Sequence, residues 1–382
     1  MTAGSVAHGG HVIARVPTGV TREDGTPELR VVFVRHALPG ERVTVEITEG
    51  TDGDRFWRGD AIEVLEPSAD RVQAPCPAAG PGKCGGCDFQ HVALNAQREL
   101  KAKVVREQLV RLAKLDADSP FVAGLVVEAV PGDENGLRWR TRQRYVGLPG
   151  HGKGMRKYRS HDVIPVEDCL IARTDARETA SGAGAEAVVE TVGAAGETHR
   201  FELAADGFWQ VHPGAPTALT EAVLAALDPK PGESVLDLYA GVGLFAAFLA
   251  DRVGTGDAGG RVVAIEGDPE ASAYSLANVP GAEVSAGDVA TVLDSSYPEH
   301  FDLVVLDPPR EGARRAVVGA VAARTPRAVA YVACDPAALA RDVAIFAEHG
   351  YRLTALRGFD LFPMTHHVEC VALLTKTDSD LR

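Results

Sequence analysis

The sequence predicts an α/β protein. A Rossmann-like, doubly wound sheet is preceded by a small N-terminal β-barrel and a short, partly β central domain. Three observations predict this. The first 70 residues hold short β-rich runs broken by Gly, Pro and Asp. Residues from about 215 to 377 alternate strand-like and helix-like stretches. Between the two lies a Gly/Pro-rich cysteine loop followed by a basic segment. A chain of 382 residues also exceeds one ordinary core. The expected domains are 1–70, 71–205 and 206–382.

The barrel rests on HVIARV, RVVFVRH, RVTVEITEG and AIEVLEP, whose spacing suits a small closed sheet. Residues 74–91, APCPAAGPGKCGGCDFQH, form the cysteine loop. A helix is expected over 93–115, with Val105, Leu109 and Leu112 at i, i+4 and i+7. Residues 138–159, RWRTRQRYVGLPGHGKGMRKYR, hold eight basic residues and no acidic one, and read as strands. Trp139, Tyr145 and Tyr158 interleave with the charges, a pattern suited to phosphates and unstacked bases. A solvated basic hairpin is the other reading. HDVIPVEDCLIA then leads to Cys169. Residues 173–198 have little apolar periodicity and read as a linker or weak element. The strand candidates of the last domain are SVLDLY, RVVAIEG, AEVSAG, FDLVVLD, AVAYVAC, RLTALRGF and VECVALLT, with GTGDAGG (254–260) as a flexible insertion before the second.

Composition excludes several classes. The chain is 45% hydrophobic and 24% charged, which argues against wholesale disorder. MTAGSVAHGG lacks the basic start and apolar core of a secretory signal. No run reaches the ~18 apolar residues of a membrane span. Six cysteines are too few for a disulfide scaffold in a chain this long, so a cytoplasmic location is expected, where clustered cysteines bind metal or do chemistry. A net charge of −14 argues against nucleic acid on average, but the basic segment contrasts with that average.

The motifs gather at strand ends. In DLYAGVGLFA, Gly241, Gly243 and Ala246 satisfy a G-x-G-x-x-G/A fingerprint, which alone also fits a nicotinamide dinucleotide. Asp237, four residues before the first Gly, could meet a ligand's ammonium. Glu266, ending the next strand, could bind ribose hydroxyls. Together they favour S-adenosylmethionine. VVLDPPR puts Asp307 in a rigid turn, and YVACDP puts Cys334 at the end of the fifth strand. In an open α/β sheet that edge is the ligand edge. If the last strand runs antiparallel, Glu369 at its start faces Cys334, while Cys370 alternates into the core. Cys76, Cys84, Cys87 and Cys169 suit either zinc or a four-iron cluster.

FWQVHPG, LDLYAGVGLF, LDPPREG, YVACDPAALARD and DLFPMTHHVE resemble, in order, the motifs of the S-adenosylmethionine-dependent RNA 5-methyluridine methyltransferases. RHALPGERV resembles the TRAM domain of many members, and CPAAGPGKCGGC plus Cys169 resembles their iron–sulfur loop. The resemblance implies a class I methyltransferase sheet with Cys334 as nucleophile and Glu369 as general base. It implies that Gln210, Tyr239, Glu266 and Asp307 contact S-adenosylmethionine or line its pocket, with Asp288 near the adenine. It places Phe208 near the target base and Arg310 beside the uracil. It also tips the cysteines towards a [4Fe–4S] cluster, with zinc as the alternative. The implied partner is RNA, ribosomal in preference to transfer RNA, with no membrane and no stable protein partner; a monomer is expected. An RNA-binding or assembly factor that retains the fold without turnover is the alternative function. The interval from Cys169 to Phe208 is shorter than in many relatives, which carry a larger central β-domain there.

Overall fold

The computed structural model describes residues 1–150, 152–178, 187–256 and 259–377. In chain order the strands and helices begin with β1 (Val6–Ala7), β2 (His11–Thr21), β3 (Pro27–Arg35), β4 (Arg42–Glu49) and β5 (Phe56–Glu66). Next come α1 (Leu94–Arg111), α2 (Pro120–Ala123), β6 (Val127–Ala129), β7 (Arg140–Gln143), β8 (Val146–Leu148), β9 (Gly152–Arg156), β10 (Val163–Pro165) and β11 (Ala172–Glu178). A hairpin follows, β12 (Ala187–Ala194) and β13 (Glu197–Ala204), then α3 (Ala215–Leu227), β14 (Ser234–Leu238), α4 (Leu244–Val253), β15 (Arg261–Glu266), α5 (Pro269–Asn278) and β16 (Glu283–Ala286). The chain continues through α6 (Val289–Ser296), β17 (Leu303–Leu306), α7 (Arg314–Ala323), β18 (Ala328–Ala333), α8 (Pro336–Glu348), β19 (Tyr351–Asp360) and β20 (Glu369–Lys376).

The chain forms two compact units that cross the domain limits expected at 70 and 205. The first comprises residues 1–104, 133–178 and 362–367, and the second 105–132, 179–361 and 368–382. The limits differ because segments distant in sequence complete each core.

In the first unit β1–β5 form one sheet in the order β1-β2-β3-β5-β4. Its ends are joined by the first residues of the chain. Thr2 bridges Arg42, and the Val43 N–H donates to the Met1 carbonyl at 2.9 Å. The closed sheet buries Val12, Val32, Val34 and Val43, the inward residues of alternating strands. The basic segment forms strands as expected, with β8, β9 and β10 in one antiparallel sheet and β7 pairing with β11. Trp139 does not face solvent. It is 1% exposed, with its ring edge-on to Phe362 at 6.0 Å, so it belongs to the core and is not a base-stacking platform. Residues 362–367 join this unit through the Lys101 ammonium on the Phe362 carbonyl and the Gln97 side chain on the Met364 N–H.

The second unit carries an eight-stranded sheet ordered β16-β15-β14-β17-β18-β20-β19-β6. β14 to β18 are mutually parallel, and β20 runs antiparallel between β18 and β19. LVVL of β17 and AVAYVA of β18 are wholly buried, as strands covered on both faces must be. α5 and α8 each start with Asp–Pro. The Asp268 and Asp335 carboxylates accept N–H groups of the first turn, while the proline occupies a position whose N–H would be unpaired anyway. The strand order reverses between β14 and β17, which opens the ligand crevice at the carboxyl edge.

The segment expected over 173–198 as a linker or weak element is made of strands where it is described, which corrects the linker reading. Residues 172–178 are β11, and β12 pairs with β13 in continuous antiparallel register. Ala195 and Gly196 both have positive φ, the two-residue turn that matches strand twist. Phe201 and Leu203 alternate inward on β13. The part of that linker over 179–186 lies outside the described residues, as do residues 257–258 of the expected 254–260 insertion.

Phe201 is fully buried, with its ring 5.6 Å from Trp209 in the FWQ segment. Phe201→Ala is expected to cost about 3–5 kcal/mol, measured by urea unfolding. A loss below about 1 kcal/mol would show that the hairpin does not support the segment.

Candidate active site and cysteine recess

The carboxyl edge of the second unit's sheet is built from four strand ends. β14 ends beyond Asp237 in a strained turn: Tyr239 has φ 62°, a region L side chains avoid, followed by Gly241 at 56° and Gly243 at 93°. At Gly243 a Cβ would lie 2.7 Å from Val279 Cγ2, so only glycine lets α4 start there. Glu266 stands at the end of β15. Its carboxylate accepts the Gly241 and Asp268 N–H groups, each at 2.7 Å, so it clamps the glycine turn from the neighbouring strand. Asn278, which sequence reasoning missed, ties the same turn to β13: its Nδ2 donates to the Val242 and Glu202 carbonyls. A lone Asn at a helix end carries no sequence signal for that contact. Asp288 caps α6 by accepting the Thr291 N–H at 3.0 Å, and it is otherwise exposed.

Asp237 is fully buried. One oxygen accepts the Ala246 N–H at 2.8 Å, and Oδ1 has no hydrogen-bond partner among the described residues. Burial, reinforced by the charges of Asp307 and Glu266, pushes its carboxyl up to about 8. Asp307 follows β17, and burial raises it to about 7.

Ala333 of β18 pairs with Cys370 of β20 in antiparallel register. Cys334 and Glu369 are therefore the next facing positions, one strand ending where the other begins. Glu369 is 4% exposed, and its Oε1 has no partner among the described residues. Burial, then the Asp307 charge, holds its carboxyl well above the usual range, with Arg310 opposing. The half-buried Cys334 thiol is pushed up to about 12, first by burial, then by Glu369 and Asp307, and Arg310 again opposes. Cys370 is buried in the core, as alternation requires.

Phe208 and Gln210 lie on the segment entering α3. Phe208 is 67% exposed while Trp209 between them is buried, the alternation of an extended chain. Among the described residues neither has a hydrogen bond to the Asp307–Cys334–Glu369 group.

In the first unit Cys76, Cys84, Cys87 and Cys169 line one recess with Met155, Val166 and Ile171. Gly85 allows it. A Cβ there would meet the Tyr158 backbone at 2.6 Å, where the cysteine loop runs against β9 and its continuation. The Gly86 N–H points to Cys84 Sγ and the Gln90 amide to Cys87 Sγ, each at 3.4 Å, donors that favour thiolates. Burial raises the Cys84 and Cys169 thiols and pushes Cys87 up to about 12. The donor set fits a thiolate-bound metal group. Among the described residues no group of three or more His, Cys, Asp or Glu side chains is arranged to hold a metal ion.

The basic segment is partly neutralised where it folds. Arg138 pairs with Asp168, Lys153 with Glu178, Lys157 with Asp162 and Arg159 with Glu49. The Arg35 guanidinium covers the Tyr158 ring at 3.5 Å, so that face of the ring is occupied.

A sheet of this order, with a glycine turn after β14 and acidic residues at its carboxyl edge, defines a class I S-adenosylmethionine-dependent methyltransferase. Comparison with known proteins makes the assignment narrower. Residues 291–377 match the tRNA (Uracil-5-)-methyltransferase family model, and residues 3–62 match the TRAM domain. A Streptomyces avermitilis protein named as an RNA methyltransferase is 41% identical, with 97% of this chain and 96% of that protein covered. A Streptomyces coelicolor protein of the same description is 42% identical, covering 97% and 91%. The crystal structure of Pyrococcus abyssi tRNA (uracil-54, C5)-methyltransferase with S-adenosyl-L-homocysteine shares the fold, with TM-score 0.66 and 21% identity over 94% of this chain and 99% of that one. The chain belongs to the S-adenosylmethionine-dependent RNA (uracil-5-)-methyltransferase family. No helix among the described residues is long and apolar enough to cross a membrane.

The raised Asp237 carboxyl has a consequence for stability. An unfolded aspartate releases its proton near ~3.9, whereas the native one holds it to about 8. The native state therefore binds more protons across that window, and its stability falls as pH rises from about 4 to about 8. Asp307 and Glu369 act in the same direction. Asp237→Asn keeps an acceptor for the Ala246 N–H without the charge. Its urea midpoint in the ligand-free protein should fall less than wild type between about pH 5 and about pH 8. An equal fall in both proteins would remove Asp237 from the account.

Proposed function

We propose that the protein methylates carbon 5 of a uridine in RNA, ribosomal in preference to transfer RNA, through a covalent bond between Cys334 and the uracil. The observation that carries this reading is the pairing of a thiol and a buried carboxyl at facing positions of β18 and β20. Carbon 5 of uracil is a poor nucleophile. Addition of the Cys334 thiolate at carbon 6 makes it an enolate carbon able to accept a methyl group. S-adenosylmethionine supplies that group from a positively charged sulfur. Glu369 then takes the carbon 5 proton, the ring double bond reforms, and the Cys334 thiolate leaves. Gln210, Tyr239, Asp237, Gly241, Gly243, Glu266, Asp288 and Asp307 are assigned to the cofactor pocket. Phe208 and Arg310 are assigned to the uridine. Because the Asp307 charge raises both groups, a cation neutralising Asp307 would lower the Cys334 and Glu369 pKa values together.

The ribosomal preference is supported by the four cysteines sharing one recess, because the sequence resemblance links that loop more often with the ribosomal branch. The reading of transfer RNA as substrate is favoured by the name of the matching family model. Nucleoside mass spectrometry of ribosomal and transfer RNA from a deletion strain separates them, since 5-methyluridine should disappear from one class at one site. Loss from neither would remove the activity. RNA carrying 5-fluorouridine at that site should accumulate a covalent adduct that Cys334→Ala abolishes. Glu369→Gln should instead trap a methyl-labelled adduct on ordinary RNA. Near wild-type turnover of that variant would leave Glu369 a structural role only.

The cysteine recess is assigned a [4Fe–4S] cluster, held by Cys76, Cys84, Cys87 and Cys169, in a structural or RNA-orienting role. Four thiols lining one recess suit either zinc or a four-iron cluster, and the resemblance of the cysteine loop tips the assignment to the cluster. Anaerobically purified protein should be brown, and Cys87→Ser should bleach it while S-adenosylmethionine binding persists. Colourless protein with stoichiometric zinc would reverse the assignment.

A further inference from the structure

The LDPPREG loop carries Asp307 and Arg310 and ends where α7 begins. Ala313 occupies the N-cap of α7 and has no side-chain oxygen to offer. The first N–H groups of that helix are satisfied from another helix. The Asp342 carboxylate, on α8, accepts the Ala313 N–H at 2.7 Å and the Arg314 N–H at 3.2 Å. It also accepts the Tyr331 hydroxyl at 2.6 Å, and that hydroxyl accepts the Ala313 N–H at 3.1 Å. Both side chains are buried, Asp342 at 2% exposure and Tyr331 at 0%. Gly312 completes the packing. Its φ is 85°, and a Cβ there would lie 2.6 Å from the Asp342 carboxylate. The Gly312 N–H closes the turn back onto the Pro309 carbonyl at 2.8 Å. The loop is thus stiff at both ends, by two prolines at one and a buried carboxylate at the other. Arg310 and Glu311 are exposed between them.

The same lock sits beside the candidate thiol in the chain. Tyr331 lies three residues before Cys334 on β18, and Asp342 lies eight residues after it on α8. Arg310 opposes part of the rise of Cys334 and Glu369, whose larger causes are burial and the neighbouring carboxylates. Its side chain is long and exposed, so its distance from the thiol depends on where the loop backbone is held.

We propose that Asp342 and Tyr331 are positioning residues that grip the Ala313 and Arg314 N–H groups and so hold Arg310 within electrostatic reach of Cys334 and Glu369. This rests on the methyltransferase reading of the site for its purpose, but its test does not need RNA. The rate of Cys334 alkylation by iodoacetamide, followed by peptide mass spectrometry across pH in the full-length protein, reads the thiolate fraction directly. Arg310→Gln should slow that reaction at fixed pH by about three- to tenfold and move its profile to higher pH. Tyr331→Phe and Asp342→Asn should do the same with Arg310 intact. Combining Tyr331→Phe with Arg310→Gln should add little, because both remove one interaction. A lock that serves stability alone would lower the melting temperature and leave the alkylation profile of Tyr331→Phe at wild type. That result, or full additivity in the double variant, would overturn the proposal. If the RNA activity fails while these profiles behave as stated, the lock stands and the methyltransferase reading falls.

Discussion

β20 runs against β18 with Ala333 opposite Cys370, and the candidate site depends on that pairing. One strand ends in a thiol where its neighbour begins with a carboxyl. The antiparallel direction is essential. In a parallel strand, a residue at the start would lie at the amino edge, far from the ends of β14, β15 and β17. The reversal brings a fifth group to the crevice opened where the strand order changes.

Gathering acidic groups there has an electrostatic cost. Burial raises the Asp237, Asp307 and Glu369 carboxyls, the Asp307 charge adds to the rise of Asp237 and Glu369, and burial with the Glu369 and Asp307 charges raises the Cys334 thiol. Natural cores seldom keep buried carboxyls with unpaired oxygens, and both Asp237 and Glu369 have one among the described residues. A site in this condition is poised for a positively charged ligand, which neutralises the cluster and restores ionised forms. Arg310 supplies part of that charge in advance, from a loop fastened by two prolines and a buried carboxylate.

The first unit follows a different logic. Its closed sheet is held by valines and by the main chain of the first three residues. The cysteine loop is threaded against the basic strands, so Gly85 must lack a side chain. Arg138, Lys153, Lys157 and Arg159 of the basic segment meet acidic partners within the fold. A polyanion would therefore compete with internal pairs, and the electrostatic reach of the segment is less than its sequence charge suggests.

The sequence by itself determined the local chemistry. Short β-rich runs broken by Gly, Pro and Asp marked the strands of the first sheet, and alternating strand-like and helix-like stretches marked the parallel strands of the second unit. It also placed Asp237, Glu266, Asp307 and Cys334 at strand ends, because a strand's end is a local property. Tertiary structure decided what meets what. The β12–β13 hairpin was hidden because its strands bury few large side chains, and its antiparallel register together with the packing of Phe201 on Trp209 shows only in the fold. Trp139 read as a base platform because a basic neighbourhood does not reveal that Phe362, over 200 residues away, covers its ring edge. The clamp of Glu266 on Gly241, the tie from Asn278 to Val242 and the grip of Asp342 on Ala313 join separate elements. Hydrogen bonds between distant segments leave no periodic trace in a single sequence, so only the folded chain fixes them.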